Sequence, residues 1–224
     1  MNRDLTVGEP QSVLWRFSIP MFVSVIFQQL YNMADSVIAG KFAGEDALAA
    51  VGASYPITMI FMAIAVGSNI GCSVIISQYF GAKWFEKMKT AVYTTLLSST
   101  VLSVLLTFAG LLGSRWMMTA INTPENIFAD GDLYLRIYIG GFVFLFLYNV
   151  ATGIFNSMGD SRTPLYFLIG SSLGNIVLDL IFVAVFHWDV AGVAWATFIA
   201  QGIACVLALN ALRKRLASIE TEGK

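Results

Sequence analysis

Long apolar stretches alternate with short polar breaks along the whole chain. Boundaries placed where charge and glycine accumulate give six stretches, about 13–39, 53–80, 91–117, 133–158, 164–186 and 190–212. Each reaches the roughly 20 apolar residues that a helix needs to cross a bilayer, and several exceed it, so tilt or protrusion is expected. The breaks are chemically plain. Lys41–Asp46 carries charge and glycine, Gly81–Lys89 is basic, and Arg115–Asp132 contains Asn122-Thr123-Pro124-Glu125. The turn from Gly159 to Thr163 leads to Pro164, at a helix start where a missing N–H is harmless. Pro20 and Pro56 fall inside stretches one and two and are candidate bend points. The predicted fold is an all-α polytopic membrane protein, a bundle of six transmembrane helices.

Composition agrees. The chain is 57% hydrophobic and only 12% charged, with a mean hydropathy of +0.73. A soluble domain carries about a quarter charged residues, so a surface of this size calls for lipid rather than water. The net charge of -1 offers no basic surface for nucleic acid. Residues 1–10 lack the pattern of a cleaved secretory signal, so the first helix is expected to act as its own. Cys72 and Cys205 lie in apolar stretches and read as small hydrophobes. His187 beside Trp188 reads as an interfacial residue, not a ligand.

Charge also sets direction. With the N-terminus inside, the inner set is Arg3, Arg16, Lys83, Lys87, Lys89, Arg162, Arg213, Lys214, Arg215 and Lys224, and the outer set is Lys41, Arg115 and Arg136. Ten of the thirteen basic residues on one side match the positive-inside rule. The expectation is a multi-pass protein of the cytoplasmic membrane with both termini cytoplasmic. Residues 1–12 would form an inner segment, 13–212 the helical lobe and 213–224 a basic tail or the start of a linker. Gly67-x-x-x-Gly71 and Gly170-x-x-x-Gly174 are candidate helix contacts.

Ionisable groups within a span cost about 2.5–3.5 kcal/mol or more at the bilayer centre, so they are rare and usually functional or paired. Asp35 and Asp179 stand out. At about 100° per residue, Gln28, Asn32 and Asp35 share one helix face, and so do Ser171, Asn175 and Asp179. Both spans run in the same direction, which puts both acids in the outer half, where they can meet. Hydration of Asp35 near the interface, and Asn175 as a link between helices, are the plainer alternatives. A low-dielectric pocket disfavours the charged carboxylate, which then takes up a proton, or a hard cation such as Na+ with neighbouring oxygens. Neutralising such a site can bias a two-state helix arrangement. Tyr134, Arg136 and Tyr138 read as an interfacial belt with a snorkelling arginine. Asn149 is mid-span and needs a partner, and Thr197 either joins the Asp179 site or bonds its own helix. No phosphate-binding loop, H-E-x-x-H or G-x-S-x-G occurs, so nothing points to ATP drive or to an enzyme.

Several segments, in order along nearly the whole chain, resemble multidrug and toxic-compound extrusion (MATE) transporters of the bacterial type. They are Pro20 with Gln28-Gln29-Leu30-Tyr31-Asn32-Met33-Ala34-Asp35-Ser36, then Asp46-Ala47-Leu48-Ala49-Ala50-Val51-Gly52, Ser77-Gln78-Tyr79-Phe80-Gly81-Ala82-Lys83 and Tyr134-Leu135-Arg136-Ile137. Gly159-Asp160-Ser161-Arg162-Thr163-Pro164-Leu165, Asn175 with Asp179, and Gly192-Val193-Ala194-Trp195-Ala196-Thr197 complete the series. The resemblance implies export of organic cations in exchange for Na+ or H+, with no other cofactor, by alternating access between two six-helix lobes. It implies cation coupling at Asp35, Asn175 and Asp179, with Tyr134, Asn149 and Thr197 as supporting groups. Only one six-helix pattern is found here. The resemblance therefore implies a second lobe, from a longer form of the same chain or from a homodimer partner. A lobe of a related lipid-linked-sugar flippase and a non-transporting membrane subunit are the competing readings. The former would be expected to carry a more cationic cavity.

Overall fold

The computed structural model describes residues 9–219, so Arg3, Lys224 and the outermost parts of both terminal segments lie outside the described residues. Seven α-helices follow in order: α1 (Pro10–Ile38), α2 (Glu45–Gly81), α3 (Phe85–Ala120), α4 (Glu125–Gly140), α5 (Phe142–Ser157), α6 (Arg162–Asp179) and α7 (Asp189–Ala217). Among the described residues there is no strand. α1 runs on into a π-helical turn, Ala39–Ala43, and α6 into another, Leu180–Val185. Every predicted stretch falls on a helix, but the helices reach further. α2 has 37 residues, about 55 Å at 1.5 Å per residue, well beyond a hydrocarbon core of about 30 Å.

Five helices are long and apolar enough to span a membrane, and α4 with α5 makes a sixth span bent by 48°. The predicted stretch 133–158 is thus divided between two helices. The bend falls at Gly140-Gly141, while Pro20 and Pro56 sit inside unbroken helices. The ring of Phe198 from α7 occupies the bend, where a Cβ on Gly141 would come within 2.9 Å of it. Phe198 in turn packs edge-on against Phe144 at 5.6 Å.

Six crossings bring the start of α1 and the end of α7 to the same end of the bundle. There the Lys89 ammonium at the base of α3 donates to the carbonyl oxygen of Ile219 at 2.7 Å. Both π-helical turns lie at the opposite, far end. α2, α5 and α7 form the centre, α3 flanks them on one side, and α6 then α1 flank them on the other. The main core gathers Phe142, Phe146, Leu135, Ile139, Met118 and Leu212. Phe61 meets Phe142 edge to face at 5.0 Å. A smaller far-end core joins Ala39, Ala50, Ile127, Tyr134, Val183 and Val193. Outward apolar side chains such as Leu112, 89% exposed, and Trp116, 75% exposed, belong in lipid.

The start of α6 follows the sequence closely. Asp160 Oδ1 accepts the backbone N–H groups of Arg162 and Thr163, and its Oδ2 accepts the Thr163 hydroxyl at 2.7 Å. This satisfies the free donors of a first helical turn. The glycine pairs do not follow the expectation. Gly67, Gly71, Gly170 and Gly174 each face open space. The close approaches occur at Gly110, where a Cβ would lie 2.8 Å from Phe61, and at Gly153, which abuts the Asn69 amide. Four-residue spacing shows that two glycines share a face, but not which neighbour that face meets.

Candidate cation site

α1 lies chiefly against α6. Two hydrogen bonds tie the pair. The Ser161 hydroxyl donates to the Phe17 carbonyl at 3.1 Å near one end, and the Tyr31 hydroxyl donates to Asn175 Oδ1 at 3.0 Å further along. Asn175 is 2% exposed and Asp179 fully buried, so α6 turns this polar face inward despite the cost. The other end of the Asn175 amide is also engaged: Nδ2 donates to Thr197 Oγ1 on α7 at 3.3 Å. The amide is thus held between α1 and α7.

One turn beyond this clamp, the carboxyl groups of Asp35 on α1 and Asp179 on α6 lie close enough to feel each other's charge. Tyr134 of α4 is buried in the far-end core beside them, and its ring stacks on Tyr138 at 6.3 Å. Neither oxygen of Asp179, nor Oδ1 of Asp35, has a hydrogen-bond partner among the described residues. Two ionised carboxylates so placed repel, and no Lys or Arg neutralises them, since the ion pairs among the described residues join Asp132 to Arg136 and Arg115. The arrangement is satisfied by a shared proton or by a cation. No cluster of three His, Cys, Asp or Glu occurs among the described residues. The donors are carboxyl, amide, hydroxyl and phenol oxygens, a hard set that fits an alkali cation better than zinc or copper.

Each acid sits at the junction of an α-helix with a π-helical turn. The Ala39 N–H reaches back to the carbonyls of both Asp35 and Ser36, and Asp179 is the last residue of α6 before Leu180–Val185. The two π-helical turns pack against each other and against α7. Gly192 permits that approach: a Cβ there would meet Val183 at 3.0 Å and the Phe182 backbone at 3.2 Å. A change to five-residue hydrogen bonding re-aims the side chains that follow it.

The structure therefore brings Asp35, Asn175, Asp179, Thr197 and Tyr134 together. It leaves three expected residues apart. Gln28 and Asn32 are exposed on another face of α1, with Asn32 Nδ2 donating to Gln29 Oε1 at 3.3 Å. The face that α1 turns to α6 carries Tyr31 and Asp35, and it is rotated by about 60° from the line through Gln28 and Asn32. Asn149 lies on α5, beyond the bend from Tyr134, and donates to its own helix at the Leu145 carbonyl at 2.9 Å. Ser171 likewise bonds the Leu168 carbonyl. Tyr31 was legible but overlooked: it lies four residues before Asp35, hence on the same face. Arg136, read as a snorkelling arginine, is half-exposed and pairs with Asp132 at 2.9 Å.

Comparison with known proteins places these features in context. The MatE family model matches residues 20–181. The probable multidrug resistance protein YoeA of Bacillus subtilis is 31% identical over 219 residues, covering 94% of this chain and 47% of that protein. An outward-facing multidrug resistance MATE family transporter of the MOP superfamily superposes with a TM-score of 0.89 at 29% identity, over 95% of this chain and 47% of the other. A MOP superfamily transporter from Pyrococcus furiosus, for which reverse polarity of the binding pocket is described, gives a TM-score of 0.89 at 28% identity over the same shares. The chain spans about half the length of the curated relatives it matches.

Proposed function

We propose, from the premise that this chain belongs to the MatE family of multidrug transporters, that it supplies one six-helix lobe of a cation-coupled exporter. Members of this family are transporters rather than enzymes. In this reading Asp35 and Asp179 bind the coupling ion, Na+ or H+, with Asn175 and Thr197 supplying neutral oxygens and Tyr134 closing the far side. Cargo is an organic cation or another amphipathic compound, in keeping with acidic rather than basic groups at the site. The observation that carries the reading is the meeting of two carboxyls, three of whose oxygens have no partner among the described residues.

The mechanism follows from charge. Without a cation, two carboxylates strain the contact between α1 and α6. A proton or Na+ removes the repulsion and favours α1 against α6. Because α1 has few other neighbours, its position is the natural variable of the lobe. A second six-helix lobe, from a longer chain or a second copy, provides the opposing wall of the cargo pathway. Lys83, Lys87, Lys89, Arg162 and the Arg213–Arg215 run share the near end, which supports a cytoplasmic placement of that end in the plasma membrane.

The test is ion-driven efflux by the complete transporter with Asp179→Asn or Asp35→Asn. Each substitution is expected to lower coupled efflux at least tenfold while membrane insertion persists. Normal efflux by both would rule the reading out.

A further inference from the structure

We propose that Tyr31 is a positioning residue whose hydroxyl competes with a metal cation for the side-chain oxygen of Asn175. The inference rests on the reading of Asp35 and Asp179 as the cation site. Asn175 stands one helical turn before Asp179 on the same buried face, so its Oδ1 is a neutral side-chain oxygen that α6 offers to an ion held by that carboxyl. In this structure that oxygen is taken: Tyr31 donates a proton to it at 3.0 Å. The other end of the amide, Nδ2, is meanwhile engaged by Thr197. A cation approaching Oδ1 meets the positive end of the Tyr31 O–H dipole, and the phenol must turn away before the oxygen can coordinate.

Tyr31 also ties α1 to α6 close to Asp35. The other tie, Ser161 to Phe17, is 14 residues back along α1, roughly 21 Å at 1.5 Å per residue. Loss of the Tyr31 bond therefore removes the side-chain tie nearest Asp35 while the one towards the other end of α1 stays made. Ion entry and the Tyr31–Asn175 hydrogen bond then oppose each other, even as the ion's charge holds the two carboxyls together, and linkage makes the effect reciprocal. Phenylalanine at 31 leaves Asn175 Oδ1 as a buried acceptor without a donor in the ion-free state, a penalty that a bound cation relieves. The variant should bind the cation more tightly. A residue with a purely structural role would, when replaced, leave binding unchanged or weaker.

The experiment measures equilibrium 22Na+ binding to the assembled protein in lipid nanodiscs, with wild type, Tyr31→Phe and Asp179→Asn. Tyr31→Phe is expected to lower the half-saturating Na+ concentration about two- to tenfold, the range that one net hydrogen bond supports, and Asp179→Asn to abolish binding. Thermal stability supplies an independent readout. Tyr31→Phe should be less stable than wild type without Na+, and the gap should close at saturating Na+. Binding that is lost in Asp179→Asn but unchanged or weaker in Tyr31→Phe, or a stability gap that ignores Na+, overturns the role of Tyr31 and leaves the cation site standing. Absence of any Na+ binding that depends on Asp179 overturns the Na+ site itself and the competition with it.

Discussion

Valine in place of Thr197 keeps the side-chain shape and removes the acceptor that Asn175 Nδ2 uses at 3.3 Å. The amide is nearly fully buried. An orphaned buried donor costs about 1–3 kcal/mol. Thr197→Val is therefore expected to destabilise the protein by that amount in reversible unfolding from detergent micelles, and Thr197→Ser, which retains the hydroxyl, by less. Equal stability of the two variants would mean that the Asn175–Thr197 bond contributes nothing. The sequence offered Thr197 two roles, joining the Asp179 site or bonding its own helix, and spacing along α7 cannot choose between them. The choice was made by the rotation of α7, which turns this hydroxyl toward α6. At the same scale Asp35 was recognisable from its charge alone, whereas Gln28 and Asn32 were grouped with it by helical phase and proved to face elsewhere.

Among the elements, α2 and α5 meet along a polar seam. Ser73 donates to Asn69 Oδ1 at 3.0 Å, and Ser157 donates to the Ser73 carbonyl at 3.1 Å. Gly153 on α5 lies directly under the Asn69 amide. Gly153→Ala forces that amide out of its place, and overpacking of this kind costs about 1–3 kcal/mol. Gly170→Ala meets open space and exchanges glycine for a better helix former, so it should be neutral or stabilise by up to about 1 kcal/mol. Thermal unfolding of the two variants side by side checks the contrast, and a Gly153→Ala protein as stable as Gly170→Ala would contradict the seam. The helices themselves were legible, because about 20 apolar residues between charged breaks admit few other structures in a bilayer. The bend at Gly141 and the two π-helical turns were not. Adjacent glycines permit a bend without requiring one, and the ring of Phe198 that fills it comes from 57 positions further along the chain.

For the whole molecule, the decisive facts are the exposed faces of α1 and α2. Many of the apolar residues of α1 are more than half exposed, among them Phe22, Leu30, Met33 and Val37. Some of this surface meets lipid, but a cargo pathway needs an opposing wall, and related transporters are about twice as long as this chain. The 224-residue chain expressed alone is expected to insert into membranes without driving efflux, and co-expression with a matching second lobe is expected to restore it. Efflux assays of the two preparations check this. Transport by the isolated chain as a monomer would refute the need for a second lobe, and transport as a dimer would identify the partner as a second copy.

Sequence by itself determined the class of molecule, the order of its spans and the identity of the two acids within them. These depend on transfer free energies that each residue carries wherever it sits: twenty apolar residues favour lipid, and a carboxyl within them demands a partner. Tertiary structure alone decided which face of α1 meets α6, which glycines lie at contacts, and that Tyr31 rather than Gln28 or Asn32 completes the site. Those outcomes turn on helix rotation, and a rotation of about 60° changes which side chains a helix presents to its neighbour while leaving its hydrophobic pattern untouched.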